Sequence, residues 1–391
     1  MKRIAIVATH PIQYQAHWFR ALAAHPDLDL EVFFCHYATP KEQAEAGFGV
    51  EFDWDIPLLD GYPHRFLKNI ATTPSLDHFG GLDTPEIRDL IRQCRLDAVI
   101  NCGWNRKSYW QSIFACRQSG TPVMVRSDSH LHTERPALTA AAKWPVYRLF
   151  IPRMDACLAV GQWARDYFLH YGARRDRIFL VPHSIDERWF GEHVARLLPQ
   201  RAQTRAEWRL PPDCVVFLWA AKFIGQKRPL DFLRALELAA RSGIRVHGLM
   251  AGDGPLRAEA EAFARERGAP VTFTGFLNQS EMVKAYVACD ALDLTSGGET
   301  WGLVVNEAMA CSRPCIVSDK VGCGPDLITP STGATYPAGH VEALLARMAS
   351  FAADRERLRR MGEAAARRVA EYSTAVAVSG VVEAVHSVRR R

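Results

Sequence analysis

Short apolar runs and longer amphipathic stretches alternate along almost the whole chain. Residues 3–8, 30–37, 97–101, 123–127, 156–160 and 178–182 are brief, nearly continuous apolar runs, the pattern of strands buried on both faces. Residues 13–25 carry helical periodicity, and helical patterns separate most of the other runs. The stretch 191–213 is charged, lacks strand character and ends in Pro211-Pro212, which reads as a linker. A second series follows, with strands at 214–221, 245–252, 271–275, 291–295 and 314–318. Helices fall at 229–241, 256–267, 279–289 and 302–311, and the tail from residue 340 is helical and rich in Arg and Ala. Alternation of this kind predicts an α/β fold of two Rossmann-like, doubly wound parallel-sheet domains in tandem. The first domain is expected over 1–190, the linker over 191–213 and the second domain over 214–371. Ligands of such sheets bind outside the carboxyl ends of the strands, so two such domains facing each other would place the ligand in an interdomain cleft.

Composition narrows the class. A length of 391 residues suits two domains, and 48% hydrophobic with 23% charged residues is an ordinary globular balance. The net charge of +5 is too small to argue for nucleic acid, while a basic phosphate-binding crevice would account for it. No apolar run approaches the roughly 20 residues that span a bilayer. The apolar stretch after Met1-Lys2-Arg3 is too short for a signal peptide and reads as the first strand. The ten cysteines include no Cys-x-x-Cys pair, and buried free thiols in a reducing cytoplasm are the expectation. Two stretches stay open. Residues 41–86 hold few clear elements and many aromatics (Phe48, Phe52, Trp54, Tyr62, Phe66, Phe79), so they are either a binding loop or a packed surface excursion. Residues 135–153 combine Arg135, Lys143, Arg148 and Arg153 with Trp144, Tyr147, Leu149 and Phe150, which suits an amphipathic core helix or a membrane-surface face.

The candidate chemistry lies at strand ends. Ser296-Gly-Gly-Glu-Thr-Trp-Gly-Leu303 joins a strand to a helix, with Glu299 in the loop and Glu307 about two turns into the helix. Free N–H groups at the helix start suit a phosphate, and two carboxylates suit sugar hydroxyls, so the site looks built for a nucleotide sugar. Lys222 and Lys227 flank the end of the second domain's first strand and would neutralise a diphosphate. Gly252-Asp-Gly254 and Gly275-Phe276-Leu277 follow two further strands, where a tight turn admits a flat ring. In the first domain, His10, Gln13 and Tyr14 follow strand one, and Trp104 and Asn105 lie in the loop after 97–101. Asp128 and His130 are proton-handling candidates after 123–127. His183 and Asp186 stand where the chain leaves for the second domain, a position that equally suits a hinge turn with an Asp cap. No acidic pair sits at a strand end in the manner of a divalent-metal site, so no metal cofactor is expected.

Taken in order, these residues resemble the retaining glycosyltransferases of the GT-B fold, and the large bacterial family four in particular. Glu299 and Glu307, with seven residues between them, match that family's two-glutamate motif. Lys222 and Lys227 fall at its Arg-and-Lys spacing, Gly252-Asp-Gly-Pro255 at its glycine turn, and Val181-Pro-His-Ser-Ile-Asp186 resembles its hinge. The resemblance implies that Glu299 holds donor-sugar hydroxyls and Glu307 the ribose. It also implies that Gly298, Thr300, Trp301, Gly302 and Leu303 meet sugar and diphosphate, that the Gly252 and Phe276 loops border the base, and that 372–391 returns to the first domain. The first domain departs from the pattern: His10-Pro-Ile-Gln-Tyr14 replaces the usual glycine turn, and the usual catalytic-site His position holds Asp128, with His130 two residues on. Lys222 replaces an Arg, which keeps the charge and loses the bidentate clamp.

The function so implied is retaining transfer of a hexose-type sugar from a UDP or GDP sugar to an acceptor hydroxyl, in bacterial polysaccharide or glycolipid assembly. The setting is cytoplasmic, with peripheral inner-membrane contact by the first domain as an open reading. The rivals are a nucleotide-sugar epimerase of similar architecture, which needs more acid and base groups than are present, and an inactive homologue serving as a partner subunit.

Overall fold

The structure is a computed structural model that describes residues 1–43, 49–133 and 137–390. Phe48 and Arg135 lie outside the described residues. The chain divides into two compact units: one of 1–38, 57–184 and 373–391, the other of 39–56 and 185–372.

The first unit is built on seven strands: β1 Lys2–Ala8, β2 Leu28–Phe34, β3 His64–Phe66, β4 Ala98–Asn101, β5 Val123–Ser127, β6 Ala156–Ala159 and β7 Ile178–Leu180. They lie in the order β3-β2-β1-β4-β5-β6-β7, all parallel. Ile4, Ile6, Val32, Ile100 and Met124 are fully buried, as expected where helices cover both faces of a parallel sheet. The helix Gln13–Ala23 contributes Trp18, Phe19 and Leu22 to this core. The helix Thr374–Ser387 belongs to the same unit and adds Ala377, Val381, Ala384 and Val385. The β3 edge was not foreseen: it is three residues long and all three are exposed, so no apolar run marks it.

The second unit has six strands: β8 Val215–Ala220, β9 Val246–Ala251, β10 Val271–Gly275, β11 Ala291–Leu294, β12 Cys315–Ser318 and β13 Gly333–Tyr336. Their order is β10-β9-β8-β11-β12-β13, again all parallel. The order reverses between β8 and β11, which opens a crevice at the carboxyl ends of those two strands. β13 was also missed, being four residues of mixed burial.

The stretch 191–213, expected as a linker, is largely helical. Glu187–Leu197 and Arg201–Glu207 are helices of the second unit, the first burying Phe190 and Leu197. The charges of Glu187–Leu197 are the solvent side of an amphipathic helix, while Arg201 and Arg205 turn inward onto Asp290, and composition alone separates neither from a linker. All ten cysteines are free.

Candidate active site

In the second unit the crevice is shaped by the turn after β11. Thr295, fully buried, accepts from Trp219 Nε1 at 2.9 Å and donates to the Lys227 carbonyl at 2.7 Å, which ties the β11 end to the loop after β8. Gly297 N–H donates to Gln226 O at 2.8 Å, and Gln226 Nε2 to Gly298 O at 2.6 Å, so the two loops are laced together. On its other side the turn is held by Glu299 N–H to Lys320 O at 3.0 Å and Cys323 N–H to Trp301 O at 2.8 Å.

This lacing brings Lys227 onto Glu299: the ammonium is hydrogen-bonded to Oε2 of the carboxylate, and Ser296 Oγ reaches the same oxygen at 3.2 Å. The two side chains are 17% and 19% exposed, covered enough for their charges to act strongly yet open to a ligand. Lys222 lies beside them. Burial first, then the nearby Lys227 charge, lowers its pKa below the usual 10.5, with Glu299 opposing.

The helix Leu303–Ala310 begins at Gly302, whose φ of 98° suits glycine. A Cβ there would lie 3.0 Å from Val321 Cγ1 and 3.1 Å from Leu294 Cδ2. Glu307 therefore sits little more than one turn into the helix rather than two, because the turn runs on to Gly302 before the helix starts. Tyr286 hydroxyl donates to Glu307 Oε2 at 2.5 Å and Gln279 Nε2 to Oε1 at 3.2 Å. Burial raises its pKa above 4.5, and the two donors oppose the shift. Trp301 is buried, its Nε1 bonded to Asn306 Oδ1 at 2.9 Å. Gly252, φ 135°, has its α-carbon so close to the loop after β8 that a Cβ would stand 2.0 Å from Ala221 O. A Cβ on Gly254 would stand 3.0 Å from Phe223 N and O, and Phe276 directly follows β10.

The first unit holds a second cluster. Arg126 on β5 is buried and donates to the carbonyls of Val181 (3.2 Å) and Pro182 (3.0 Å), with Nη2 3.3 Å from His183 Nδ1. His183 Nε2 stands 3.8 Å from Asp128 Oδ2, and Tyr14 meets the imidazole edge-on at 5.3 Å. Burial, then Arg126, pushes the His183 pKa below 6.5, while Asp128 pulls it back. The ring is thus held neutral at pH 7 and able to accept a proton. His130 is buried against Trp163 at 5.0 Å, and His10 Nδ1 contacts Thr9 Oγ1 at 3.0 Å. Gln13 opens the helix Gln13–Ala23, and Asn105 is exposed.

Two of the expected cleft residues have structural partners. Trp104 is 7% exposed and packs among Tyr147, Phe150 and Tyr167, because its loop folds back onto the unit's aromatic core. Asp186 caps the helix Glu187–Leu197, accepting from Trp189 N–H at 3.1 Å. Sequence reasoning missed Gln226, Ser296, Gln279, Tyr286 and Arg126. Gln279 and Tyr286 were within reach of it, since their seven-residue spacing puts both on one helix face. Among the described residues, no group of three or more His, Cys, Asp or Glu side chains is disposed to hold a metal ion.

The comparisons with known proteins agree with this geometry. Residues 200–368 match the family model for "Glycosyl transferases group 1", and residues 15–189 that for "Glycosyltransferase Family 4". This chain belongs to the GT-B glycosyltransferases. It is 32% identical over 238 residues to D-inositol 3-phosphate glycosyltransferase of Nocardia farcinica, covering 56% of this chain and 49% of that one. It is 29% identical over 221 residues to the GDP-mannose-dependent alpha-(1-6)-phosphatidylinositol dimannoside mannosyltransferase of Mycobacterium tuberculosis, covering 56% and 54%. The chain thus spans about half the length of the curated relatives it matches. The crystal structure of Anabaena HepE in complex with UDP superposes with a TM-score of 0.74 at 16% identity, over 99% of this chain and 100% of that one, and so shares the fold.

Proposed function

We propose that the protein transfers a hexose-type sugar from a UDP or GDP sugar to an acceptor hydroxyl with retention at the anomeric carbon. The observation that carries this reading is the pairing of Glu299 with Lys227 at the crevice between β8 and β11, with Glu307 one turn into the adjoining helix. Relatives named for a GDP-mannose donor and a HepE complex holding UDP support a nucleoside-diphosphate donor of either base.

In the proposed course the bond between the anomeric carbon and the diphosphate oxygen breaks, and the acceptor oxygen bonds to that carbon from the same face. The acceptor proton passes to the departing diphosphate. Lys222, Lys227 and the backbone N–H groups at Leu303 stabilise the charge that develops on the diphosphate. Glu299 orients the sugar hydroxyls, and Glu307 the ribose hydroxyls. The cationic pair supplies positive charge that other enzymes draw from a divalent ion, so turnover in chelator is expected. Asp128, His130 and His183 are assigned to the acceptor, whose hydroxyl the neutral His183 imidazole and the Asp128 carboxylate orient by hydrogen bonding while its proton passes to the diphosphate. Glycolipid or polysaccharide acceptors are favoured by the relatives' names. Peripheral membrane contact is supported by the exposed Trp144, Val146 and Leu149 beside Arg148 on one helix. No described helix is long and apolar enough to cross a membrane.

The test is thermal stabilisation by UDP, GDP, ADP and dTDP and their sugars, in chelator, for wild type and Glu307→Ala. Stabilisation by one base, lost in the variant, is the expected result. No stabilisation by any of them would favour the inactive-partner reading.

A further inference from the structure

The aromatic insertion left open above has a definite place. Residues 49–56 belong to the second unit although the chain from residue 57 belongs to the first. The described tip, 49–56, lies on the loops after β9 and β10. The rings of Phe52 and Phe276 are 4.5 Å apart at 41°, and Trp54 meets Phe52 edge-on at 4.9 Å. Asn278 Nδ2 donates to Asp53 O at 2.7 Å. Ser280 N–H donates to Asp55 Oδ2 at 3.0 Å, and the Ser280 hydroxyl donates to the same oxygen. Backbone also meets backbone, for a Cβ on Gly49 would lie 3.1 Å from Gly254 N. Ring packing, polar anchors and a close backbone approach fix the segment on one spot.

That spot has a place along the donor. Glu299 and Lys227 mark the sugar and diphosphate. Glu307 follows one helical turn on, and its carboxylate is held by Gln279 and Tyr286 of the helix Gln279–Ala288. Continuing from Glu299 through Glu307 to Gln279, the next group is the loop of Phe276 and Asn278. A nucleotide with diphosphate on the lysines and ribose on Glu307 directs its base to that loop and to Gly252–Gly254.

We propose that Phe52, backed by Trp54, is an aromatic wall of the nucleobase pocket, so that a segment inserted in the first half of the chain sets donor affinity. This rests on the nucleotide-sugar reading above. A half-buried aromatic face stacks on any base, and purine and pyrimidine alike gain from it. Asp55 is a positioning residue, acting through Ser280 at the start of the helix that holds Glu307.

The test uses the full chain, with calorimetric binding of UDP and GDP and steady-state kinetics on the corresponding sugars. Phe52→Ala is expected to weaken binding of the preferred nucleotide about tenfold, or ~1.4 kcal/mol, and to raise donor KM alike at unaltered kcat. Phe52→Tyr restores affinity and Phe52→Leu does not, a difference that loss of mere bulk would not produce. Asp55→Ala raises KM in the same sense. Trp54 fluorescence, isolated by comparison with Trp54→Phe, changes on nucleotide binding. Unaltered binding in Phe52→Ala, with binding abolished in Glu307→Ala, overturns the wall and leaves the donor reading intact. Tighter binding in Phe52→Ala also overturns it, since Phe52 would then occupy the base's place. A wild type that binds neither nucleotide overturns both.

Discussion

Replacing Lys227 by Ala is the sharpest perturbation of the proposed chemistry. Lys227 and Glu299 form one ion pair with side chains 17% and 19% exposed. Two unit charges 4 Å apart attract by about 4 kcal/mol at an effective dielectric of ~20. Much of that is offset by the cost of desolvating both, so the resting pair adds little net stability. The variant leaves the Glu299 carboxylate with Ser296 Oγ and removes a cation from the diphosphate position. A hydrogen bond to a charged group is worth about 1.5–3 kcal/mol. At about 1.36 kcal/mol per decade, kcat/KM should fall between roughly tenfold and 150-fold. Initial rates of nucleoside diphosphate release over a range of donor concentrations measure it, with Lys227→Arg, which keeps the charge, recovering part of the loss. A Lys227→Ala enzyme with a wild-type melting curve and kcat/KM within about twofold of wild type would refute the assignment.

Three further outcomes follow from the geometry. Glu307 must be ionised to accept two ribose hydroxyls, and burial raises its pKa above 4.5; nucleotide affinity should therefore fall as pH drops through that raised value, and Glu307→Gln should flatten the profile in calorimetric titrations. Asp293, fully buried on β11, has both carboxylate oxygens without a hydrogen-bond partner among the described residues, and burial holds its pKa well above 3.8. The folded state then binds the proton more tightly than the unfolded state, so stability declines as pH rises from 3.8 toward the raised value. Asp293→Val should abolish that decline and add about 1–3 kcal/mol at neutral pH by chemical denaturation. Gly252→Ala should lower the melting temperature and weaken nucleotide binding, since a strained backbone of this kind costs about 1–3 kcal/mol and the new Cβ would meet Ala221 O.

The fold was legible because parallel strands buried on both faces write themselves as continuous apolar runs. Ile4 to Ala8 and Val215 to Trp219 are such runs, and they are buried throughout. β3 and β13 escaped because an edge strand of three or four residues has too little buried surface to leave a pattern. The clustering of Lys222, Lys227 and Glu299 was legible because the turns at strand ends of one sheet converge on its crevice. The packing of Trp104 was not legible: its loop also follows a strand, and only the tertiary structure shows the ring turned into the core. Phe52 was undecidable from sequence because what distinguishes a wall from a surface excursion is its partner, Phe276, far along the chain.

The two glutamates show what a motif leaves out. Both are the same residue in one short stretch, yet their surroundings differ in kind. Glu299 is part-exposed, hydrogen-bonded to the Lys227 ammonium and next to a second cation, Lys222. Glu307 is buried, and its donors among the described residues are neutral, Tyr286 and Gln279, each on a different oxygen. A carboxylate offers about four lone-pair sites. Two of them are taken by the helix partners, which leaves about two for a vicinal diol. In the proposed donor site Tyr286 and Gln279 would keep Glu307 aimed while leaving capacity for the ribose, and replacing Glu307 by Asp would withdraw that capacity by one methylene without changing the charge.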